Sequence, residues 1–256
     1  MKFITQIGQV TLQFFNSFGF FCIFLAKVIK SSITPKWYPE LILKQMVRIG
    51  FYSLPVVGLT AIFTGGVLAL QTFAGASRFS AESTVPTVVV LSITRELGPV
   101  LTGLMVAGRI SASIAAEIGT MRVTEQIDAL KTLSTNPYRY LIAPRIIAAT
   151  IVAPLLVIIA DIIGVMGGFL ASVYSLGFSS GPYMQKTFDY LQVGDVTSGL
   201  IKAIVFGFII ALMGCYHGYN SKKGAEGVGI ATTKAVVSAS ILILLFNYLM
   251  TELFFV

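Results

Sequence analysis

Charge is what this sequence has least of. Asp, Glu, Lys and Arg together make up 11% of 256 residues, whereas soluble domains run near one quarter. With 55% hydrophobic residues and a mean hydropathy of +0.86, the chain lacks the polar side chains needed to cover a soluble core, so a soluble domain is excluded. Cysteine is scarce as well. Cys22 and Cys215 both lie in apolar stretches without a CxxC neighbourhood, are too few for a disulfide framework, and read as small core residues. His217 stands alone and offers no ligand set, so it reads as structural or interfacial and no metal is expected. No Walker string occurs, so the chain is not expected to bind ATP by itself, and no cofactor is implied. A serine elbow, HExxH and paired catalytic carboxylates are also missing, which argues against a hydrolase. No basic patch is interleaved with stacking aromatics, so nucleic acid is not an expected partner. The net charge of +7 instead marks one membrane face. Only Lys2 precedes the first apolar region, and Ala26 is followed directly by Lys27, so a cleaved signal peptide is not expected.

What is present is long uncharged runs, and about 20 apolar residues suffice to cross the hydrocarbon layer. Arg48 to Arg78 encloses 29 uncharged residues, the first span. Residues 84–108 form a second, interrupted by Arg95 and Glu96, and residues 146–176 a third, interrupted by Asp161. The third is about 46 Å long if helical, so it should tilt, kink near Pro154 or protrude. Residues 198–216 and 235–255 complete five spans. The segments 27–48, 109–145 and 217–234 hold thirteen basic residues and the opposite side only Arg78 and Lys186, which puts the first three in the cytoplasm and the C-terminus outside. Residues 1–26 carry Gln6, Gln9, Gln13 and Asn16 as a polar stripe on an otherwise apolar helix. That pattern favours a helix lying in the interface, although a sixth span is also compatible with it. Small residues recur every four positions as Ala61, Gly65 and Ala69, as Ala160, Gly164, Gly168 and Ser172, and as Gly199, Ala203, Gly207, Ala211 and Cys215. Such ridges let helices approach closely within one subunit, and one of them could serve a homodimer.

The stretch 110–145 is too orderly for a loose loop. Ile118, Met121, Val123, Ile127 and Leu130 recur at helical spacing, Arg122 precedes Glu125 by three, and Asn136-Pro137 closes the pattern. An amphipathic helix here either lies back on its own bundle or docks into a partner's groove. The glycine-rich "NSKKGAEGVGIATTKAVV" reads as a flexible turn leading into a helix.

"RELGPVLTGLMVAGRISASIAAEIGTMRVTEQIDAL", "NPYRYLIAPR" and "GAEGVGIATTKAVV" resemble the MlaE (YrbE) family of phospholipid ABC transporter permeases over roughly residues 40–256. One departure is Ser134, where a glycine is expected after the cytoplasmic helix. The resemblance implies an all-α integral membrane protein forming a single permease domain over 1–256. Residues 1–48 would be its interfacial and cytoplasmic N-terminal region and 49–256 a bundle of five transmembrane helices with a cytoplasmic coupling helix. It implies a homodimer in a Gram-negative inner membrane, with Glu117, Gly119, Met121, Arg122, Glu125 and Asp128 on the helix that meets a MlaF-like ATPase. Further implied partners are a MlaD-like periplasmic MCE-domain protein, a MlaB-like STAS-domain protein and phospholipid.

Arg95 and Glu96 are the anomaly in this frame. A charge at mid-membrane costs roughly 2.5 to 3.5 kcal/mol on insertion scales, so both must face protein or water. As neighbours on a helix they point about 100° apart and cannot neutralise each other. Pro99 has no N–H, so the carbonyl of residue 95 loses its helical partner. Ser92, Arg95, Pro99 and Thr102 then form a stripe that either lines a wet lipid cavity or, with Glu96, ties the helix to its neighbours. The competing reading, an ion- or proton-coupled transporter with a relay of Arg95, Glu96 and Asp161, has five spans and no inverted repeat against it.

Overall fold

The computed structural model describes residues 2–33 and 38–255, with side chains described at residues 12, 15 and 16 and from residue 18 onward. Gln6, Gln9 and Gln13 of the N-terminal polar stripe therefore lie outside the described side chains, as do Lys36 and Val256. Uncharged runs in lipid have to satisfy every backbone group internally, and without closed strands only helix does so. The chain obeys that rule. Helix α1 covers Lys2–Ile33, and α2 (Pro39–Gly50) continues through a tight turn at Phe51–Ser53 into α3 (Leu54–Ala76). Proline stands in the first turn of both α2 and α3, where its missing N–H costs nothing.

The second span is one rod in five pieces. These are α4 (Val85–Ser92), a π-helical turn at Ile93–Leu97, α5 (Gly98–Val106), a second π turn at Ala107–Ser111, and α6 (Ala112–Val123). A short α7 (Gln126–Thr132) and a third π turn at Tyr138–Ile142 lead into α8 (Ala143–Leu176), a 34-residue helix that runs through Pro154. At 1.5 Å per residue it measures about 51 Å, longer than the hydrocarbon layer is thick. Gly177, at φ 74°, ends it in the left-handed region. Helix α9 (Ser180–Tyr190) crosses to α10 (Val193–Tyr219), whose first turn is closed by a reciprocal cap between Gln192 and Asp195. Finally α11 (Ala225–Phe255) comes after a turn that places Gly224 at φ 90°. Five stretches are long and apolar enough to cross a membrane: Pro39–Phe79, Glu82–Val123, Tyr138–Leu176, Val193–Tyr219 and Ala225–Phe255.

The small-residue ridges hold the bundle together from within. A Cβ on Gly65 would meet the Gly164 backbone, one on Gly167 the Ile62 backbone, and one on Gly207 the Ala149 backbone, so α3 and α10 both pack backbone to backbone on α8. The outer faces carry Phe63, Ile162 and Ile241, each at least 60% exposed, as lipid-facing helices require. At one end Arg48 and Arg145 both pair with Glu117, at 2.6 and 3.0 Å. At the other, Lys186 donates to the Ser83 carbonyl at 3.0 Å. The three basic segments therefore share one end of the bundle, as the division of charge requires. There the last turns of α1 lay Phe24 against Tyr216 and Tyr138, with ring centroids 5.3 and 5.7 Å away. Cys215 is buried, as expected, but Cys22 is exposed, because the helical turn that buries Phe24 and Val28 points it outward.

Candidate functional site

Arg95 and Glu96 sit in the first π turn, and each finds its counter-charge on α10, where Asp195 and Lys202 stand two turns apart. Arg95 Nε and Nη2 both lie 2.7 Å from Asp195 Oδ1, while its guanidinium stands 4.6 Å from the Phe255 ring. Glu96 Oε1 takes hydrogen bonds from Lys202 Nζ at 2.7 Å and Thr251 Oγ1 at 2.8 Å, and Asn247 Nδ2 donates to Oε2 at 2.9 Å. The inner partners are hidden and the outer ones are not. Lys202 and Asp195 side chains are 0% and 3% exposed, whereas Arg95 and Glu96 are 35% and 34% exposed. Lys202 also donates to the Arg95 carbonyl at 3.0 Å, the group that Pro99 deprives of its helical partner. The proline-created acceptor is thus satisfied by a lysine from α10.

The expected stripe of Ser92, Arg95, Pro99 and Thr102 does not form one wall. The π turn adds a residue to the helical circuit and rotates the residues beyond it. Arg95 and Pro99 both face α10, at Asp195 and Gly199, whereas Ser92 is half-buried and Thr102 lines a separate narrow cavity with Thr60, Thr64 and Leu97. Nor is a relay with Asp161 assembled. That carboxylate lies against Gly98, and its Oδ1 has no hydrogen-bond partner among the described residues.

The stretch 110–145 differs from the single amphipathic helix its periodicity predicts. Nothing interrupts the helix formers after Ser111, so the second span simply continues to Val123 and then breaks at Glu125, which adopts φ 59°. Ile118 and Ile127 are fully buried in the chain's own core, with Met121 and Leu130 packed against it. The apolar stripe is therefore spent inside the subunit. Gly119 is buried against Val228, and Glu117, partly exposed, is tied to Arg48 and Arg145. Arg122 pairs with Asp128 at 3.0 Å rather than with Glu125, because the break carries Glu125 away. Asp128 also binds Lys131 at 2.8 Å, and this hydrogen bond, with the nearby Arg122 charge, holds its carboxyl below the usual carboxylate range. The helix ends at Thr132, short of Asn136-Pro137, and Ser134 takes φ 56°, the left-handed turn where a glycine is expected.

Residues 42–253 match the family described as Permease MlaE. The chain belongs to the MlaE permease family. The permease is 62% identical over 255 residues to a probable ABC transporter permease protein of Rickettsia bellii, covering 100% of this chain and 98% of that one. It is 40% identical over 213 residues to a probable ABC transporter permease protein of Synechocystis, covering 83% and 81% of the two chains. To the intermembrane phospholipid transport system permease protein MlaE of Haemophilus influenzae it is 37% identical over 260 residues, covering 100% and 98%. It is a multi-pass membrane subunit of an ABC transporter. Its ATPase activity resides in a partner subunit.

Sequence reasoning missed four of the six residues of the permease's central network, Asp195, Lys202, Asn247 and Thr251. Lys202 lies inside the fourth predicted span and is the only charged residue between 198 and 216, which is a sufficient signal by itself. Asp195 stands just outside that run, and Asn247 and Thr251 are ordinary polar residues one turn apart on α11, so no pattern singles them out.

Proposed function

We propose that this permease moves phospholipids between the inner and outer membranes of a Gram-negative cell, maintaining the lipid asymmetry of the outer membrane. It would work as a homodimer coupled to an ABC ATPase, with an MCE-domain periplasmic protein and a STAS-domain protein as further partners. The observation that carries this reading is the half-exposed Arg95 and Glu96 pair, held from behind by the buried Asp195 and Lys202. A purely structural pair would bury all four groups. Here the guanidinium keeps donors free for a phosphate, which its planar fork suits, and the carboxylate can meet a cationic headgroup. The printed name of the Haemophilus relative supports the same cargo.

Arg95→Lys tests it. The lysine still neutralises Asp195 and so preserves the fold, but it lacks the fork. Phospholipid recovered with the purified transporter, and transport between reconstituted vesicles, should both fall about tenfold, the value of one charged hydrogen bond. Undiminished transport by Arg95→Lys would remove Arg95 from the lipid path.

For the ATPase contact we favour the break between α6 and α7, since the apolar stripe is packed into the subunit's own core. Glu125 and Asp128 are exposed there, so Glu125→Lys should abolish co-purification of the ATPase while membrane insertion is unchanged. Gly119 is unsuited to this test, since a larger side chain there would disturb the subunit's own packing. ATPase recovered at wild-type yield with Glu125→Lys would place the contact elsewhere.

A further inference from the structure

The turn that joins α10 to α11 holds a cleft of about 230 Å³ that the transport reading leaves unused. His217 and Asn220 line it from the end of α10, Ser221 and Lys222 from the turn, and Ile230 and Lys234 from α11. No acidic side chain is among its lining residues. Lys222 and Lys234 are exposed and form no ion pair among the described residues, and neither does the adjoining Glu226. The cleft is built rather than loose. Ser238 Oγ donates its one proton to the Lys234 carbonyl at 2.7 Å, so His217 Nε2, 2.9 Å away, must donate to that oxygen and clamps α10 to α11. A Cβ on Gly227 would meet the Lys222 carbonyl, which shows how tightly the turn closes on the start of α11.

Position and charge both indicate what fits there. A Cβ on Gly119 would touch Ser221 and Val228, so the turn packs on the last part of α6, just before the break at Glu125. Tyr219, at the end of α10, lines a second cleft together with Lys131 of α7. Glu125 is exposed at that break, so this end of the permease presents a negative point beside a positive cleft. An anionic leaflet would be drawn to one and repelled by the other, whereas a protein surface carries both signs in a matching pattern. We infer that the cleft takes a carboxylate-bearing segment of the ATPase subunit, as a second contact beside the α6–α7 break. This rests on the reading that the ATPase meets the permease at that break. A contact here grips α10 and α11 at one end, and the opposite halves of the same two helices hold Asp195, Lys202, Asn247 and Thr251 around Arg95 and Glu96. Movement of the ATPase then reaches the charge network along two clamped helices without passing through α7.

The full-length permease with its ATPase in detergent provides the test. A carbodiimide, which joins an ammonium to a carboxylate in contact with it, should couple Lys222 or Lys234 to an Asp or Glu of the ATPase, located by peptide mass spectrometry. The double variant Lys222→Gln, Lys234→Gln should bind the ATPase about tenfold more weakly, the loss of two exposed ion pairs, and its binding should depend less on salt. The charge-keeping variant Lys222→Arg, Lys234→Arg should bind as wild type does. Wild-type affinity in the glutamine variant, or cross-links confined to other lysines, would overturn the proposal. So would loss of phosphatidylglycerol from the purified glutamine variant with ATPase binding unchanged, which marks a lipid contact instead. The Glu125→Lys result is read separately. If that variant keeps the ATPase while the glutamine variant loses affinity, the break is the wrong site and the cleft stands; the reverse outcome removes the cleft and leaves the break. Should the glutamine variant fail to fold, the cross-links of the wild-type complex decide.

Discussion

Glu96→Ala is expected to cost about 3–5 kcal/mol, a large part of the 5–15 kcal/mol that holds a typical protein folded. Lys202 is 0% exposed, and its ammonium rests on Glu96 Oε1 at 2.7 Å, Thr251 Oγ1 at 2.8 Å and the Arg95 carbonyl at 3.0 Å. Removing the carboxylate leaves a buried cation with only neutral acceptors. Glu96→Gln keeps an acceptor without the charge and should fall between the two. Replacing both partners, Glu96→Leu with Lys202→Met, removes the charge and its counter-charge together and should recover most of the stability, as buried pairs replaced by apolar residues commonly do. Monodispersity on size exclusion and thermal unfolding in detergent would measure all three. A Glu96→Ala protein as stable as wild type would mean that Lys202 finds water or another anion. A stable double variant that still transports lipid would limit the network to a structural role.

The second large effect lies at neighbouring glycines with opposite surroundings. On Gly65 a Cβ would run into the Gly164 carbonyl and come within 3.1 Å of its Cα, both backbone atoms of a long helix that cannot rotate aside. On Gly66 the nearest atoms are 3.7 and 3.8 Å away, ordinary contact distances. Gly65→Ala should therefore force α3 from α8 and lower stability by at least the roughly 1–3 kcal/mol typical of overpacking. Gly66→Ala should be nearly neutral, and Gly75→Ala, with nothing within 4 Å, should match it. The melting temperatures of the three variants in one detergent give the comparison. Equal values at positions 65 and 66 would show that the α3–α8 contact is looser than described.

By itself the sequence placed five spans and left residues 1–26 open between a sixth span and an interfacial helix, because lipid admits only long helical runs with few charges. It determined which loops share an end, since basic residues gather on three of them, and it marked the helix-packing ridges, since only small residues permit backbone contact. It also exposed the vacant carbonyl at residue 95, a covalent consequence of Pro99. The tertiary structure decided which group fills that vacancy. Lys202 reaches it from more than 100 residues away, and no periodicity within one helix encodes a partner on another. The π turns at Ile93–Leu97 and Ala107–Ser111 were likewise invisible to a 3.6-residue count, and beyond the first of them Thr102 lines a different cavity from the α10 face that Arg95 and Pro99 share. The apolar stripe from Ile118 to Leu130 was legible as a stripe. Whether it faced a partner or its own bundle depended on the break at Glu125, where a left-handed residue folds α7 back and buries Ile127 in the subunit's core.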